Sequence, residues 1–221
     1  PLSGVPAAAR YRLVVGVEGT PFENDWHLWV YPAQLESPAS PGVTVVNRWD
    51  DRAQAALAAG GRVLLLIPPQ QVRNAADQKI TLGFSSIFWN TAWTRRQPPT
   101  TLGILCDPRH PALAEFPTDA HSNWQWWYLV SRAGAMLLDE LPRDTAPIVQ
   151  VIDDWFTARK LGLIFEAKVR RGRLLVCSID LSDENPVARQ LRHSLLRYME
   201  NNQFAPKIAV ADDVIARLMT P

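Results

Sequence analysis

Cysteine is nearly absent. Cys106 and Cys177 are the two in 221 residues, and each sits in an apolar run, GILC and LLVCS, the setting of a small buried hydrophobe. Two cysteines are too few for a disulfide framework and leave the redox compartment open. Histidine is scarce too: His27, His110, His121 and His193 are scattered, and no HxxxH or CxxC spacing brings metal ligands together. There is no GxGxxG and no GxxxxGK[ST], so no phosphate-cradling loop is expected, and no cofactor. A surplus of one charge is missing as well. The 23 basic and 22 acidic residues leave a formal +1, which supplies no electrostatic stripe, so nucleic acid is not an expected partner. Apolar runs such as VLLLIPP fall short of a bilayer span, and no membrane partner is expected. No charged-then-apolar leader follows Pro1, and the chain is expected to be a piece of a longer polypeptide.

What is present is apolar content, 47% of the chain, in alternating blocks. YRLVVGVEG reads as a strand, TPFEND as a turn, and WHLWVYP as a second strand. Its period of two sets Trp26, Leu28 and Val30 on one buried face against His27, Trp29 and Tyr31. Two strands do not stand alone, so residues 1–40 are expected to be terminal strands of an upstream sandwich or hinge, with QLESPASPG as linker. From Val43 the pattern becomes βαβ: VTVV, the alanine-rich helix DDRAQAALAAGG, then the apolar strand RVLLLIPP. TLGILCDP and PIVQVIDDW predict further strands. LGLIFEAKV and RLLVCSID flank RRG as paired strands, with Arg170, Arg171 and Arg173 at a solvated hairpin tip. NPVARQLRHSLLRYMENN predicts an amphipathic helix burying Val187, Leu191, Leu195 and Tyr198, and KIAVADDVIARLMTP a last short helix. The expectation for 41–221 is an α/β body with helices layered on a mostly parallel sheet.

Catalytic constellations are hard to assemble. Cys106 ends a strand with His110 nearby, but Asp107 and Pro108 replace the small residues that a nucleophile elbow requires; a structural cysteine is the simpler reading. Asp153 and Asp154 are adjacent and would point to opposite faces of a strand, so they cannot form a facing acid/base pair, and capping accounts for them. Glu166 and Lys168 share a strand face and are expected to pair.

The aromatics are the unusual feature. FWNTAW and HSNWQWW hold five of the nine tryptophans, with Asn90, His121 and Asn123 beside them. On a helix, Trp124 and Trp127 share a face three apart while Trp126 points away. Such a helix shows indole on two sides, and one core cannot shelter both. Trp89, Asn90, Trp93, His121, Asn123, Trp124, Trp126 and Trp127 are therefore the candidate contact residues, for a neighbouring body or for a carbohydrate.

NDWHLWVYP, GFSSIFWNTAW, LGILCDPRHPALAEFPTDAHSNWQWW, IDDWF and LIFEAKVRRGRLLVCSIDL together resemble the C-terminal region of bacterial glycoside hydrolase family 2 proteins of the β-galactosidase-like or sugar-binding kind. The resemblance runs from Tyr11 to Phe204, and HSNWQWW is its most specific piece. It implies a flavodoxin-like, class I glutamine-amidotransferase-like three-layer body without the amidotransferase cysteine, following a sugar-binding sandwich and a (β/α)₈ barrel that carries the catalytic glutamates. It further implies that this chain has no catalytic site of its own. The partners it implies are the upstream domains, a second copy or a carbohydrate. The compartment would be the periplasm or the exterior if the parent degrades polysaccharides. Two rival expectations stand beside it: an independent amide or ester hydrolase using Cys106 or the Asp153/Asp154 region, and a free-standing carbohydrate-binding module.

Overall fold

A computed structural model describes residues 4–35, 42–73, 80–84, 95, 97–182 and 185–220. The order of strands and α-helices is β1 (Ala9–Gly16), β2 (Glu23–Val30), β3 (Val43–Val46), α1 (Asp51–Ala58), β4 (Arg62–Leu66), β5 (Thr101–Cys106), α2 (Trp124–Val130), β6 (Met136–Leu137), β7 (Val149–Asp153), β8 (Leu161–Val169), β9 (Gly172–Cys177), α3 (Pro186–Glu200) and α4 (Asp212–Ala216). Single 3₁₀ turns form at Pro69–Gln71 and Pro111–Leu113.

The body is a mixed α/β fold around a seven-stranded sheet in the order β3-β4-β9-β8-β7-β5, with β6 pairing on β8. The sheet is not mostly parallel. β3, β4 and β9 run parallel, whereas β8, β7, β5 and β6 pair antiparallel. Connection length accounts for two of these pairs, β3–β4 and β8–β9. The α1 crossover from β3 to β4 is long enough to return the chain in the same direction, but two residues join β8 to β9, and a parallel pair needs a dozen or more.

Alternation along the central strands feeds two cores. Val63, Leu65, Leu174 and Val176 face one side with Leu57 of α1 and Ile215 of α4. Leu64, Leu175 and Cys177 face the other with Leu191 and Leu195 of α3 and Trp126 of α2. Between Val149 and Gln150 the β7–β8 register skips a residue, so an extra residue of β8 bulges and Leu161 and Ile164 both stay in the α3-side core. The helix expected over 185–202 forms, and Val187, Leu191, Leu195 and Tyr198 are all buried.

The hairpin tip is exposed at Arg170 and Arg171, as expected, and its arginines also reach back to the body. Arg171 donates to the Ala58 carbonyl at the end of α1 at 2.7 Å. Arg170 donates to Asp212 at the start of α4 at 2.6 Å, and Arg173 donates to the Phe204 carbonyl at 2.7 Å. Arg171 thereby satisfies a carbonyl that the end of α1 leaves open. Gly172 is required here by close approach: a Cβ would lie 2.7 Å from the Gly61 carbonyl oxygen and 2.7 Å from Leu57 Cα.

β1 and β2 form a separate two-stranded antiparallel sheet. In its register Tyr11 faces Leu28 and Leu13 faces Trp26. The face expected to be buried is open: Tyr11, Leu13, Val15, Trp26 and Leu28 all lie among the exposed hydrophobic residues, between 41% and 54% accessible. The ribbon meets the body through Arg10, which pairs with Asp119, and through Tyr31, whose ring stacks on Phe116 with centroids 6.4 Å apart. Arg189 of α3 also donates to the Ala33 carbonyl, at 3.3 Å.

Candidate functional site

The aromatic surface is built on α2. Asn123 caps the helix, its Oδ1 accepting from the Trp126 amide at 3.2 Å, and its Nδ2 donates to Asp119 at 3.1 Å. Asp119 is the residue that Arg10 of the ribbon grips, so the cap and the ribbon are tied through one carboxylate.

The helix sorts its indoles as its periodicity requires. Trp124 is 78% and Trp127 54% exposed, on one side, with the edge of Phe84 against Trp127 at 5.6 Å between centroids. Trp126 faces inward and is fully buried. Its Nε1 donates to Thr118 Oγ1 at 2.7 Å and its ring meets Phe116 edge-on at 5.6 Å. This corrects the expectation for Trp126: it is a core residue with its polar group satisfied, not a contact residue. His121 is exposed and aligned antiparallel to Leu105, where the 120–122 segment covers the outer edge of β5: the Cys106 amide donates to the Ala120 carbonyl at 3.0 Å and the Ile104 amide to Ser122 Oγ at 2.9 Å. Trp89, Asn90 and Trp93 lie outside the described residues.

Sequence reasoning missed two exposed apolar features. One is the open ribbon face, whose period of two was visible but which was assigned to a core. The other is the pair Trp155 and Phe156, 68% and 62% exposed in the turn after β7; the signal was an aromatic pair directly behind a turn-capping aspartate.

The candidate catalytic groups have structural occupations. Cys106 Sγ donates to the Asp119 carbonyl at 3.3 Å, and burial, with Asp107 adding to it, pushes its thiol up to about 11. That is the opposite of an activated nucleophile. Cys177, wholly enclosed, is pushed up by burial to about 12. Asp153 forms a bidentate pair with Arg159, at 2.7 and 2.8 Å, and also accepts from the Arg159 amide. Asp154 caps the turn, accepting from the amides of Phe156 and Thr157 at 2.9 and 3.0 Å. Burial raises the Asp154 carboxyl, but those bonds and Arg159 outweigh it and leave it below the usual range. Glu166 corrects another expectation. It accepts from Tyr198 Oη at 2.6 Å rather than pairing with Lys168, whose backbone instead exchanges hydrogen bonds with Ile208 and Val210. Burial raises the Glu166 carboxyl, partly offset by Tyr198.

Among the described residues no group of three or more His, Cys, Asp or Glu could hold a metal ion, and no helix is long and apolar enough to cross a membrane.

Residues 44–220 match the family model described as "Domain of unknown function (DUF8487)". The chain belongs to the DUF8487 family. Residues 1–32, which include β1 and β2, match a second model, "Domain of unknown function (DUF8488)". The DUF8487 match begins within β3 and ends beyond α4, so it spans the seven-stranded sheet and its helices, and the α2 indoles fall inside it. No curated protein matches the chain.

Proposed function

We propose that this chain is a non-catalytic C-terminal module of a glycoside hydrolase family 2-type, β-galactosidase-like protein, and that it works by docking. On this reading the body is a flavodoxin-like, glutamine-amidotransferase-like scaffold without amidotransferase chemistry. The β3-α1-β4 unit and helices on both faces of the sheet support that fold. The hydrogen-bonded, high-pKa state of Cys106 supports the missing chemistry.

One observation carries the docking claim. The ribbon presents Tyr11, Leu13, Val15, Trp26 and Leu28 as one apolar face that no described residue covers. A two-stranded sheet has too little core to persist alone, and a contiguous apolar patch on a folded surface marks an interaction site. The occupant is an upstream domain of the same polypeptide. Trp124 and Trp127 extend the contact, either onto that domain or onto the edge of its sugar cleft. If the parent degrades polysaccharides, it acts in the periplasm or outside the cell.

The test is to produce this chain and the sandwich-and-barrel portion of its reading frame as separate polypeptides and to co-purify them. Wild type is expected to associate, and Leu13→Lys/Trp26→Lys to lose the association while keeping its circular dichroism. A reading frame with no glycosidase portion, or association indifferent to both substitutions, overturns the proposal.

A further inference from the structure

Beside α4, the segments that follow β3 and β4 and the strip after α4 enclose a groove of about 820 Å³ lined by Arg48, Trp49, Gln71, Arg73, Arg217 and Met219, among others. Three of its lining residues are arginines, and no carboxylate is among its described lining residues. Arg217 is committed, donating to Glu140 and Asp213 at 2.6 and 2.7 Å. The side chains of Arg48 and Arg73 have no hydrogen-bond or ion-pair partner among the described residues. A neighbouring cleft of about 520 Å³ makes a useful contrast: it holds Arg52 and Arg192, but Asp50 and Asp180 line it as well. Among the described lining residues, the larger groove is the one with cationic surplus.

Its frame is fixed. The Arg73 amide donates to the Leu218 carbonyl at 2.8 Å, and the Thr220 amide donates to the Gln71 carbonyl at 2.8 Å, so the strip carrying Arg73 is stitched to the strip following α4. Arg48 precedes Trp49, which packs on the α1-side core, and Asp50, which caps α1 by accepting from the Ala53 amide at 2.9 Å. Two guanidiniums with unspent donors thus stand on braced backbone beside a partly exposed indole.

We propose that this groove binds a small organic oxyanion, its phosphate or carboxylate oxygens taken by Arg48 and Arg73 and its apolar portion resting on Trp49. Guanidinium forks match both oxyanions in the same geometry. The inference is independent of the docking role of the ribbon.

Isothermal titration of the full chain with pyrophosphate, citrate and glucose at low salt tests it. At least one of the two anions is expected to bind, weakening as salt is raised, and glucose is expected to give no heat. Arg48→Gln/Arg73→Gln is expected to weaken the anion about tenfold or more, the loss of one to two charge-assisted bonds. Arg143→Gln, an exposed arginine outside the groove, is expected to leave it unchanged, and circular dichroism confirms that each variant is folded. Preference for pyrophosphate assigns a phosphate source, and preference for citrate a carboxylate. Silence with both anions, equal binding of glucose, or unchanged affinity in the double variant overturns the proposal.

Discussion

Trp126 and Trp127 are adjacent in the chain and opposite in environment: one indole is enclosed with its N–H given to Thr118, and the other leaves 54% of its surface open. Their contributions to stability separate accordingly. Trp126→Ala is expected to cost about 3–5 kcal/mol, because it opens a cavity in the core. Thr118→Val leaves the indole N–H unpaired at a cost of roughly 1–3 kcal/mol. Trp124→Ala and Trp127→Ala are expected to stay within about 0.5 kcal/mol of wild type, as exposed positions do. Urea unfolding followed by circular dichroism checks all four, and a large loss at Trp124 would show that the exposed indoles support the fold.

The Asp153–Arg159 pair is the next most consequential contact. Its side chains are 2% and 13% exposed, and both carboxylate oxygens are engaged. Removing one partner strands the other charge away from water, at an expected cost of about 3–5 kcal/mol for a pair this enclosed. Arg159→Met is expected to destabilise strongly. In Arg159→Met/Asp153→Leu, where neither charge remains, a substantial part of the loss is expected to return. Denaturant midpoints of the two single variants and the double variant form the cycle that measures it.

Glu166 gives the fold a pH dependence with a defined sign. Burial raises its carboxyl above the ordinary glutamate value, with the Tyr198 hydroxyl pulling the other way. The folded state therefore holds the proton more tightly than the unfolded chain. That contribution is complete below the unfolded value and is lost as pH rises through the raised folded one. Glu166→Gln keeps an acceptor for Tyr198 and carries no charge. It is expected to flatten this component of the stability profile and to be more stable than wild type at pH 7. Unfolding midpoints of both proteins from pH 4 to 8 decide it; parallel curves would remove Glu166 as the source.

Much of this fold could be read before any coordinates. The βαβ unit was written in VTVV, an acid-started alanine run closed by glycines, and VLLLI. The α3 face followed from Val187, Leu191, Leu195 and Tyr198. Sheet direction was not legible, because an apolar run looks alike in a parallel strand and in a buried antiparallel one; the short β8–β9 loop held the clue. Helical spacing separated Trp126 from Trp124 and Trp127 without saying which side faced the core. That depended on Thr118 and Phe116, which the tertiary fold brings to the Trp126 ring, and on Tyr31, which stacks on Phe116 behind it. Glu166 met Tyr198, 32 positions away, in place of its neighbour on the same strand. Arg48 and Arg73 were scattered single charges in the chain, and they line one groove because the strip carrying Arg73 is bonded to the strip after α4, which lines it as well.

Cys106 offers the sharpest test against an independent hydrolase. With its thiol held at about 11 by burial and the neighbouring aspartates, about one molecule in 10⁴ carries a thiolate at pH 7, against a few per cent for an unperturbed cysteine. Alkylation by iodoacetamide at neutral pH is expected to be slower than for a free thiol by about two orders of magnitude, since rate follows thiolate fraction. It is expected to climb steeply between pH 9 and 11, and faster labelling in urea will confirm that the fold sets the value. Asp119→Ala is expected to speed it, because the substitution removes a nearby negative charge and loosens the Asn123 cap that holds the 118–123 segment over the sulfur. Rapid, single-site labelling of the native protein at pH 7 would instead mark an activated nucleophile and reopen the hydrolase reading.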